Sequence, residues 1–452
     1  MQCTLHGRVR VAVIGTGISG LSAAWLLSQR CDVTVFECAG RAGGHANTVE
    51  VQFAGRRIAI DTGFVVFNTV NYPNLTALFE FLGVQTKASD MSLSLSLDEG
   101  ALEYSGTGLQ GLFAQRSNLF KPRFWTMLRD VARFYRQAPH DLAALDPVGT
   151  TLGEYLSAGG FTRAFQEDHL LPMAAAIWSA PAKTLLDYPA AAFIRFYQSH
   201  GLLRFRDRPI WRTVVGGSRA YVRRLRQPFA DRILLNTGVT AVRRTARGVA
   251  ISDRAGGERQ FDHVVIATHA DQALSLLKDP SPREHALLGA FRYSRNTALL
   301  HTDATLMPRR RSTWASWNYI SRRDASEDPV SVTYWMNRLH GLAPEPNLFV
   351  TLNPTRSPRA GSILHREIYE HPRFDAKALI AQQELWTLQG QRNTWFCGAH
   401  FGAGFHEDGL QSGLAVAEAL CGARRPWTVK GESERITLLP LEPQLIPERD
   451  VA

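Results

Sequence analysis

Residues of types that bind metals or catalyse reactions are concentrated near the C-terminal end, in residues 395–420. Among five glycines, that stretch contains a thiol, two imidazoles and two carboxylates: Cys397, His400, His406, Glu407 and Asp408. Two histidines with a carboxylate form a ligand set that iron and related metals use, so a metal site is one interpretation. Hydrolysis is disfavoured because no GxSxG motif precedes a predicted helix. A third interpretation is that the glycines let the backbone approach a bound cofactor.

The elements that would position such a cofactor are found at the other end of the chain. The run VRVAVIGTG predicts a buried parallel strand, ISGLSAAWLLSQR has helical spacing, and DVTVFE predicts a second buried strand. These segments form a βαβ unit whose turn contains Gly15, Gly17 and Gly20 in the pattern GxGxxG. The first glycine permits a tight turn, the second lets the backbone approach a pyrophosphate, and the third lets helix and strand pack closely.

The surroundings of this turn predict a dinucleotide site. The helix begins near Ile18 and Ser19, where free N–H groups and a partial positive charge suit phosphates. Glu37 ends the second strand about 20 residues after the glycines, where a carboxylate accepts hydrogen bonds from an adenosine ribose. The alternative is a glycine-rich turn that binds no ligand. The uncharged run 11–27 also resembles the apolar segment of a signal peptide or membrane anchor. The glycines inside that run favour the nucleotide motif.

A second glycine-rich turn follows directly, in CAGRAGGHANTVE. Arg41, Gly43 and Gly44 offer a cation and bare N–H groups that suit a diphosphate, although an exposed β-turn would use the same residues. On these motifs the chain resembles the flavin-containing amine oxidase superfamily, which includes monoamine oxidases, phytoene desaturases and protoporphyrinogen oxidases. The resemblance implies FAD, with the second turn wrapped around it.

The resemblance also implies which segments contact the FAD. The end of a predicted hairpin, DTGF, would pass near the flavin ring, although Asp61 is equally suited to cap a turn. Two later strands would lie against the adenine and under the dinucleotide, and the final strand, turn and helix would contact the ribitol, pyrophosphate and isoalloxazine. Glu407 and Asp408 are candidates for ribitol hydrogen bonds or for helix capping. The implied FAD-binding residues are Gly15, Gly17, Ile18, Ser19, Gly20, Glu37, Arg41, Gly43, Gly44, His45, Asp61, Thr62, Gly63, Phe64, Val239, Ala267, Thr268, Gly398, Phe405, Glu407, Asp408 and Gly409.

The predicted fold class is α/β: a Rossmann-like FAD-binding domain of the GxGxxG type with an interleaved α+β substrate domain, as in amine oxidases. The FAD-binding domain is assigned to residues 8–88, 208–290 and 391–425. Residues 89–207 and 291–390 are assigned to the substrate domain, and residues 426–452 to an extended C-terminal tail on the surface.

The expected chemistry is hydride transfer to or from N5 of the flavin. Amine oxidases of the superfamily commonly place a lysine near N5, but the corresponding strand, RYSRNTALLHTDATL, contains none. His301, His400 and His406 are the candidate catalytic residues, with structural roles as the alternative. The cysteine that tethers FAD in monoamine oxidases has no evident counterpart, since Cys397 lies in the strand before the flavin turn, so we expect non-covalent FAD. Because the glycines already have a use, we expect no metal.

A narrower resemblance concerns the substrate. The segments DTGFVVFN, HTDATLMPRRRSTWASWNY, VTYWMNRL and GFHEDGLQSGLAVAEAL are similar to a bacterial group of FAD-binding oxidoreductases. Relatives of that group include the oxidase-like N-terminal domain of plant cyclopropane fatty acid synthases. The resemblance implies an apolar, fatty-acyl or lipid-like substrate. Amine, porphyrinogen or carotenoid oxidation is an alternative, as is a non-catalytic flavoprotein beside a lipid-modifying methyltransferase partner.

The composition limits the location and partners of the protein. The 452 residues carry a formal net charge of +10 and include five cysteines without a CxxC pair, which indicates a reducing compartment rather than a disulfide framework. We therefore expect a cytoplasmic protein. Residues 307–323 interleave arginines with aromatics, but no recognition motif accompanies them, so nucleic acid is not an expected partner.

Peripheral contact with the inner face of a membrane is suggested by residues 118–137, NLFKPRFWTMLRDVARFYRQ. An apolar side is approximated by Leu119, Phe120, Phe124, Met127, Leu128, Val131 and Phe134, and five cations are interspersed. A basic amphipathic helix can lie on anionic lipid. An ordinary helix that packs its apolar side into the protein would show the same pattern.

Overall fold

The computed structural model describes residues 8–53, 55–178, 181–323 and 330–440. Within them the strands are β1 (Arg10–Ile14), β2 (Asp32–Phe36), β3 (Thr48–Phe53), β4 (Arg56–Asp61), β5 (Phe67–Asn68), β6 (Thr86–Ala88), β7 (Leu93–Leu97), β8 (Leu102–Ser105), β9 (Trp211–Val214), β10 (Ile233–Leu234), β11 (Val239–Thr245), β12 (Gly248–Asp253), β13 (Glu258–Phe261), β14 (His263–Ile266), β15 (Arg292–His301), β16 (Trp317–Ser321), β17 (Val332–Trp335), β18 (Phe349–Leu352), β19 (Ile363–Arg373) and β20 (Thr394–Phe396).

The α-helices in the same residues are α1 (Ile18–Leu27), α2 (Pro73–Phe81), α3 (Leu109–Leu112), α4 (Pro122–Asp141), α5 (Leu152–Ala158), α6 (Arg163–Phe165), α7 (Leu171–Trp178), α8 (Ala182–Leu186), α9 (Ala190–Ser199), α10 (Arg219–Arg226), α11 (Ala270–Leu276), α12 (Pro282–Leu288), α13 (Met336–Leu339), α14 (Ala376–Glu384) and α15 (His406–Cys421).

A parallel sheet in the order β10-β2-β1-β14-β20 carries both glycine-rich ends of the chain. Its β-branched residues are fully buried on adjacent strands, as at Val11, Val13, Val33 and Val35, so both faces of the sheet are covered, as is usual for parallel strands. β20 is separated from β1 only by β14. The predicted α/β fold, with a βαβ unit at its centre, is therefore confirmed.

The predicted hairpin is also present. β3 and β4 pair antiparallel, with Phe53 opposite Arg56. At its turn, Gly55 has a φ of +75°, a conformation that favours glycine. β11, β12 and β13 form a separate antiparallel sheet.

The largest sheet is mixed and has the order β19-β15-β18-β17-β16-β7-β8. Its strands come from two distant parts of the chain, residues 93–105 and 292–373, both of which lie within the stretches assigned to the substrate domain. β16 pairs parallel with β7, and the other pairs are antiparallel. β19 lies at the edge of this sheet. Its side chains contact the glycine-rich turns described below.

The basic amphipathic segment packs its apolar side into the protein. Phe124, Met127, Val131 and Phe134 on α4 are buried, with exposures of 6% or less, as expected of an ordinary surface helix. Leu119 and Phe120, immediately before the helix, remain exposed. Among the described helices, none combines the length and the apolar character needed to cross a bilayer.

The chain beyond α15 does not simply extend over the surface. The indole of Trp427 stacks on that of Trp25 in α1, with ring centroids 5.8 Å apart. Arg425 is buried and donates to Glu418, and Arg435 donates to Asp408. The described part of the tail, up to residue 440, is thus packed against α1, α2 and α15, and the rest of the tail lies outside the described residues.

Candidate flavin site

The first glycine-rich turn joins β1 to α1, and its three glycines do three different things. Gly15 has a φ of +102°, and a Cβ there would lie 2.9 Å from the Ala267 carbonyl oxygen. A Cβ on Gly20 would lie 2.0 Å from the Gly15 oxygen, so this glycine permits close packing. In contrast, a Cβ on Gly17 would meet nothing within 4 Å. Because no side chain caps α1 at Gly17, the N–H groups of its first turn can bind an anion.

Glu37 lies directly beside this turn, at the end of β2. Its carboxylate accepts hydrogen bonds from the Thr16 N–H at 3.0 Å, the Thr16 hydroxyl and the Ala39 N–H at 2.9 Å. The side chain is 9% exposed. These donors hold the carboxylate at the edge of the turn, where an adenosine ribose would find an acceptor.

The second glycine-rich turn touches the first. The Gly43 N–H donates to the Thr16 carbonyl oxygen at 3.0 Å, and a Cβ on Gly44 would lie 3.0 Å from the Gly17 Cα. Arg41 donates from Nη1 to the Gly44 carbonyl at 2.9 Å, and its Nη2 lies 3.9 Å from Glu367. The Arg41 guanidinium and the glycine backbones of the two turns therefore lie close together. A cation and backbone N–H groups in one place suit a diphosphate.

The hairpin end at residues 61–64 reaches the same region. The buried Asp61 carboxylate accepts hydrogen bonds from the Ser218 hydroxyl at 2.7 Å and the Thr48 hydroxyl at 2.6 Å, so it fastens the hairpin to the start of α10. A Cβ on Gly63 would lie 2.2 Å from the His45 carbonyl oxygen. The Phe64 ring stacks on the His406 imidazole, with ring centroids 3.9 Å apart. This contact joins the hairpin to the C-terminal turn.

Two of the five C-terminal glycines are explained by helix packing. A Cβ on Gly409 would lie 2.9 Å from the Ile18 Cγ2, and one on Gly413 would lie 2.2 Å from the Ser19 carbonyl oxygen. α15 therefore lies directly along α1, and the two ends of the chain meet at one place. Gly398 donates its N–H to the Ser412 hydroxyl at 3.0 Å, which fixes the turn before the helix.

The two carboxylates at the start of α15 act as helix caps. Glu407 is buried and accepts hydrogen bonds from the N–H groups of Asn74 and Leu75, both at 3.0 Å, so it caps α2, and burial raises its pKa. Asp408 accepts from the Phe405 N–H at 2.7 Å and pairs with Arg435 at 2.5 Å. Of the two roles considered for these residues, capping is the one that their contacts show.

His406 and His400 lie near the C-terminal turn and have different surroundings. His406 Nε2 lies 2.6 Å from the Tyr221 hydroxyl, whereas His400 Nε2 has no hydrogen-bond partner and its ring lies 5.3 Å from that of Phe291. Burial lowers the pKa of each imidazole to about 3, so both are neutral near pH 7. With Glu407 turned toward α2, these three residues do not converge. In the described parts of the chain, no three His, Cys, Asp or Glu residues are grouped as a metal site.

His301 lies away from the glycine-rich turns. Its Nε2 is 2.7 Å from the Thr351 hydroxyl, and its Nδ1 accepts from the Asp303 N–H at 3.1 Å. The same strand begins near the turns, where the Tyr293 hydroxyl accepts from the Ala270 N–H. At about 3.3 Å per residue, Tyr293 and His301 are separated by roughly 26 Å along β15. Burial lowers the pKa of His301 to about 4.

The remaining predicted residues have the following neighbours. Thr268 Cγ2 would lie 3.6 Å from a Cβ on Gly15. Val239 opens β11 opposite Asp253. The Phe405 ring stacks on Phe196 at 5.1 Å, and the Thr62 hydroxyl lies 2.7 Å from the Tyr369 hydroxyl.

A row of polar side chains on β19 was not found from the sequence. His365, Glu367, Tyr369 and His371 occupy alternate positions and therefore share one face of the strand; we call them the β19 stripe. The His45 ring, from the second turn, lies 5.0 Å from Tyr369 and 5.5 Å from His371. Asn296 on β15 extends the group, with Nδ2 at 3.0 Å from His371 Nδ1. The alternation in HREIYEH was the available signal, but it does not reveal which face meets the turns.

These residues fit a dinucleotide that carries a flavin. The uncapped start of α1, the open space at Gly17 and the Arg41 guanidinium suit phosphates. Glu37 suits a ribose. Beyond the two turns, the β19 stripe, Phe64 and His406 provide aromatic and hydrogen-bonding surfaces for a flat ring system.

The fold and these turns define a dinucleotide-binding protein. A sequence model described as flavin containing amine oxidoreductase matches residues 18–302, and the chain belongs to that family. It is therefore an FAD-dependent oxidoreductase.

Solved structures with the same fold have several different activities. A redesigned putrescine oxidase matches with a TM-score of 0.64 and 16% identity, over 91% of this chain and 99% of its own. A fatty acid isomerase from P. acnes matches with a TM-score of 0.64 and 15% identity, over 93% and 99%. Cyclohexylamine oxidase from Brevibacterium oxydans IH-35A matches with a TM-score of 0.63 and 16% identity, over 91% and 99%. No curated protein sequence matches the chain.

Proposed function

We propose that the protein transfers a hydride between an apolar substrate, of fatty-acyl or lipid type, and N5 of non-covalently bound FAD. The observation that carries the proposal is the neutral character of the groups at the site. Burial lowers the pKa of His45, His371 and His406, so these imidazoles are uncharged near pH 7. Neutral imidazoles offer an ammonium ion no counter-ion, whereas an apolar substrate needs none.

The carboxylates close to the site are already bound by protein donors. Asp61 accepts from Ser218 and Thr48, and Glu367 accepts from Asn47 Nδ2 at 3.1 Å. An amine substrate would therefore have to compete with these donors for an anion. Together with the absence of a lysine from β15, this arrangement disfavours simple amine oxidation.

Non-covalent binding is supported by the thiol nearest the C-terminal turn. Cys397 has no exposed surface, and burial raises its pKa to about 12. A protonated, buried thiol is a poor nucleophile. We therefore propose that FAD is held by the two glycine-rich turns, Glu37 and Arg41, with the residues of the C-terminal turn beside it.

Bound FAD would supply hydride acceptance or donation at N5. We propose that Asn296 and His371 provide the polar group that a lysine provides in amine oxidases of the superfamily. Asn296 Nδ2 donates to the Ser294 carbonyl at 3.1 Å, which orients its NH₂ toward His371 Nδ1. Nδ1 is then an acceptor, and the proton of the neutral ring lies on Nε2. His371 can thus donate a hydrogen bond beside His45.

Two likenesses favour a lipid-type substrate. The protein from P. acnes that shares the fold is a fatty acid isomerase. The segments DTGFVVFN and GFHEDGLQSGLAVAEAL resemble a bacterial group related to a domain of plant cyclopropane fatty acid synthases. A methyltransferase that modifies lipids is accordingly the protein partner we propose to test.

The test is anaerobic reduction of the FAD-loaded protein, followed by its visible absorbance. Unsaturated fatty acids, putrescine, cyclohexylamine and a porphyrinogen are added separately. Bleaching by the fatty acids alone supports the proposal. Bleaching by an amine or the porphyrinogen instead would replace the substrate class. A flavin that no donor reduces, in a protein that co-purifies with a methyltransferase, would favour an accessory role over catalysis.

The residue assignment has its own test. His371→Phe keeps a ring at the position and removes its hydrogen-bonding atoms. We expect FAD binding, measured by fluorescence titration, to change little and reduction by the identified donor to slow by about a hundredfold, the usual range for a lost proton-handling group. Unchanged reduction would remove His371 from the assignment.

A further inference from the structure

An exposed apolar surface surrounds the start of α4. Leu109, Leu119, Phe120 and Trp125 are 75%, 43%, 86% and 48% exposed; we call these four residues the α4 patch. Single exposed apolar residues are ordinary on protein surfaces, but four large ones grouped at one place indicate an interaction surface.

The contacts show that the α4 patch is continuous. The Trp125 indole N–H donates to the Leu119 carbonyl oxygen at 2.9 Å. Phe113 links the other side, because its ring lies 5.7 Å from that of Trp125 and its N–H donates to the Leu109 carbonyl oxygen. Phe120 follows Leu119 directly and is the most exposed of the four.

Cations border the α4 patch. Arg116 is exposed, Lys121 follows Phe120, and Arg129 lies one helical turn beyond Trp125. Arg129 Nε is also 3.7 Å from the buried Asp130. Lys121 Nζ donates to the Ala101 carbonyl oxygen, at the edge of a cleft that is lined by two carboxylates, Asp98 and Glu99, and by four arginines, Arg309, Arg310, Arg322 and Arg323.

The acidic residues near this border are paired with arginines, and three of the four cleft arginines are among them. Glu99 lies 3.0 Å from Arg309, and Glu167 lies 2.8 Å from Arg123. Arg116 and Lys121 have no carboxylate partner among the described residues, so the partner that this surface fits is apolar at its centre and anionic beside these two cations.

We propose that the α4 patch docks the protein on the surface of an anionic phospholipid bilayer. Tryptophan and phenylalanine with neighbouring cations match the boundary between headgroups and acyl chains. A second copy of the chain is a poorer occupant, since joining two such patches would place cations against cations.

This surface differs from the one that the sequence suggested. The apolar side of α4 itself is buried, at Phe124, Met127, Val131 and Phe134. What remains for lipid is the turn before the helix, Trp125 in the first turn of the helix, and Leu109. The protein would therefore contact the membrane through the α4 patch and the neighbouring cations. Binding should be reversible, because neither an apolar contact of this size nor a few charges is enough for stable anchoring.

The proposal is independent of the substrate, so its test does not use turnover. FAD-loaded protein is sedimented with vesicles of phosphatidylcholine, with and without phosphatidylglycerol. We expect binding to the mixed vesicles and little binding to phosphatidylcholine alone. Each border cation is expected to contribute about fivefold in affinity, so Arg116→Gln with Lys121→Gln should weaken binding by about 25-fold.

The apolar contribution is tested with Leu109→Ser combined with Phe120→Ser, two positions exposed enough for the fold to tolerate the change. We expect affinity to fall about tenfold or more. The matched control is Val70→Ser with Ile210→Ser, at positions 67% and 72% exposed elsewhere on the surface, and it should bind like the unaltered protein. Flavin content confirms folding in every variant.

Three results would overturn the proposal. One is the absence of preference for anionic vesicles, and another is unchanged vesicle binding by the Leu109 and Phe120 variant. The third is a concentration-dependent dimer, seen by sedimentation velocity, that this variant abolishes, since the patch would then belong to contact between copies.

Discussion

The two glycine-rich regions at the ends of the chain have similar compositions and different physical roles. At the N-terminal turn, Gly17 faces space in which an added Cβ would touch nothing. On the C-terminal helix, a Cβ on Gly413 would lie 2.2 Å from the Ser19 carbonyl oxygen and 2.4 Å from the Ser22 hydroxyl. The first glycine leaves room for a ligand, and the second leaves room for another helix.

The acidic residues of the two regions differ in the same way. Glu37 is held at the edge of the N-terminal turn by Thr16 and Ala39. Glu407 turns away from the C-terminal turn to cap α2. A glycine-rich loop with nearby acids therefore identifies a cofactor site only when the structure shows what the glycines and acids face.

The largest effect on stability is expected at the C-terminal region, from Gly413→Ala. The added methyl group would overlap the backbone of α1, so α15 must move and its contacts weaken. Overpacking of this kind costs about 3 kcal/mol or less, partly offset by about 1 kcal/mol from better helix propensity. Urea unfolding should show a net loss of about 2 kcal/mol. An unaltered midpoint would mean that the helices are not in contact there.

Gly17→Ala is the matched change at the N-terminal region, and it should act on the ligand instead. The methyl group fits the apo fold but occupies the space that a pyrophosphate needs. Loss of one charge-assisted hydrogen bond, about 1.5–3 kcal/mol, would weaken FAD binding about ten- to hundredfold. Fluorescence titration measures the affinity, and apo-protein unfolding should be unchanged. Full flavin content would contradict the assigned site.

Glu407→Ala distinguishes capping from ribitol binding. Removal of the carboxylate leaves the N–H groups of Asn74 and Leu75 without their acceptor, at a cost of about 2 kcal/mol. Thermal unfolding should report that loss, while FAD affinity of the folded protein stays the same. The opposite outcome, weaker FAD binding at unchanged stability, would show that Glu407 binds the cofactor rather than capping α2.

The smallest effect near pH 7 is expected from His400→Leu, which acts on the pH dependence of stability. Because the pKa of His400 is about 3 in the folded protein and 6.5 as its reference value, the unfolded chain binds one more proton between these values. Stability is then lost as pH falls from 6.5 toward 3. Leucine removes this pH-dependent contribution to the free energy of unfolding. It should change stability little otherwise, since His400 Nε2 has no hydrogen-bond partner to lose. Urea midpoints between pH 7 and 4 should therefore decline less steeply in the variant, and parallel curves would contradict the burial of a neutral imidazole.

Much of the N-terminal region could be predicted because its signals are local. Buried strands, a helix and GxGxxG follow one another within 30 residues, and Glu37 lies at the distance that a βαβ unit dictates. The partner segment near residue 395 could also be inferred, since a strand, a glycine-rich turn and a helix repeat the same local pattern. The parallel sheet confirms both.

The roles of several polar side chains could not be predicted in this way. His301 was a candidate because it is a polar residue of the strand where a lysine was expected, yet it lies roughly 26 Å along that strand from Tyr293, the residue that contacts Ala270. Asp61 and Glu407 each had two plausible roles, and their partners, Ser218 and Asn74, are far away in the sequence. The β19 stripe is visible as an alternation, but alternation does not say which neighbour it meets.

The sequence by itself determined the cofactor-binding architecture of this protein, because turn geometry and strand burial depend on residues close together in the chain. Tertiary structure alone decided what each polar side chain does. His45, His371 and Asn296 come together only when β15 and β19 of the mixed sheet pack against the second glycine-rich turn. Such groups acquire their partners and their neutral imidazoles from burial among distant segments, which no local pattern specifies.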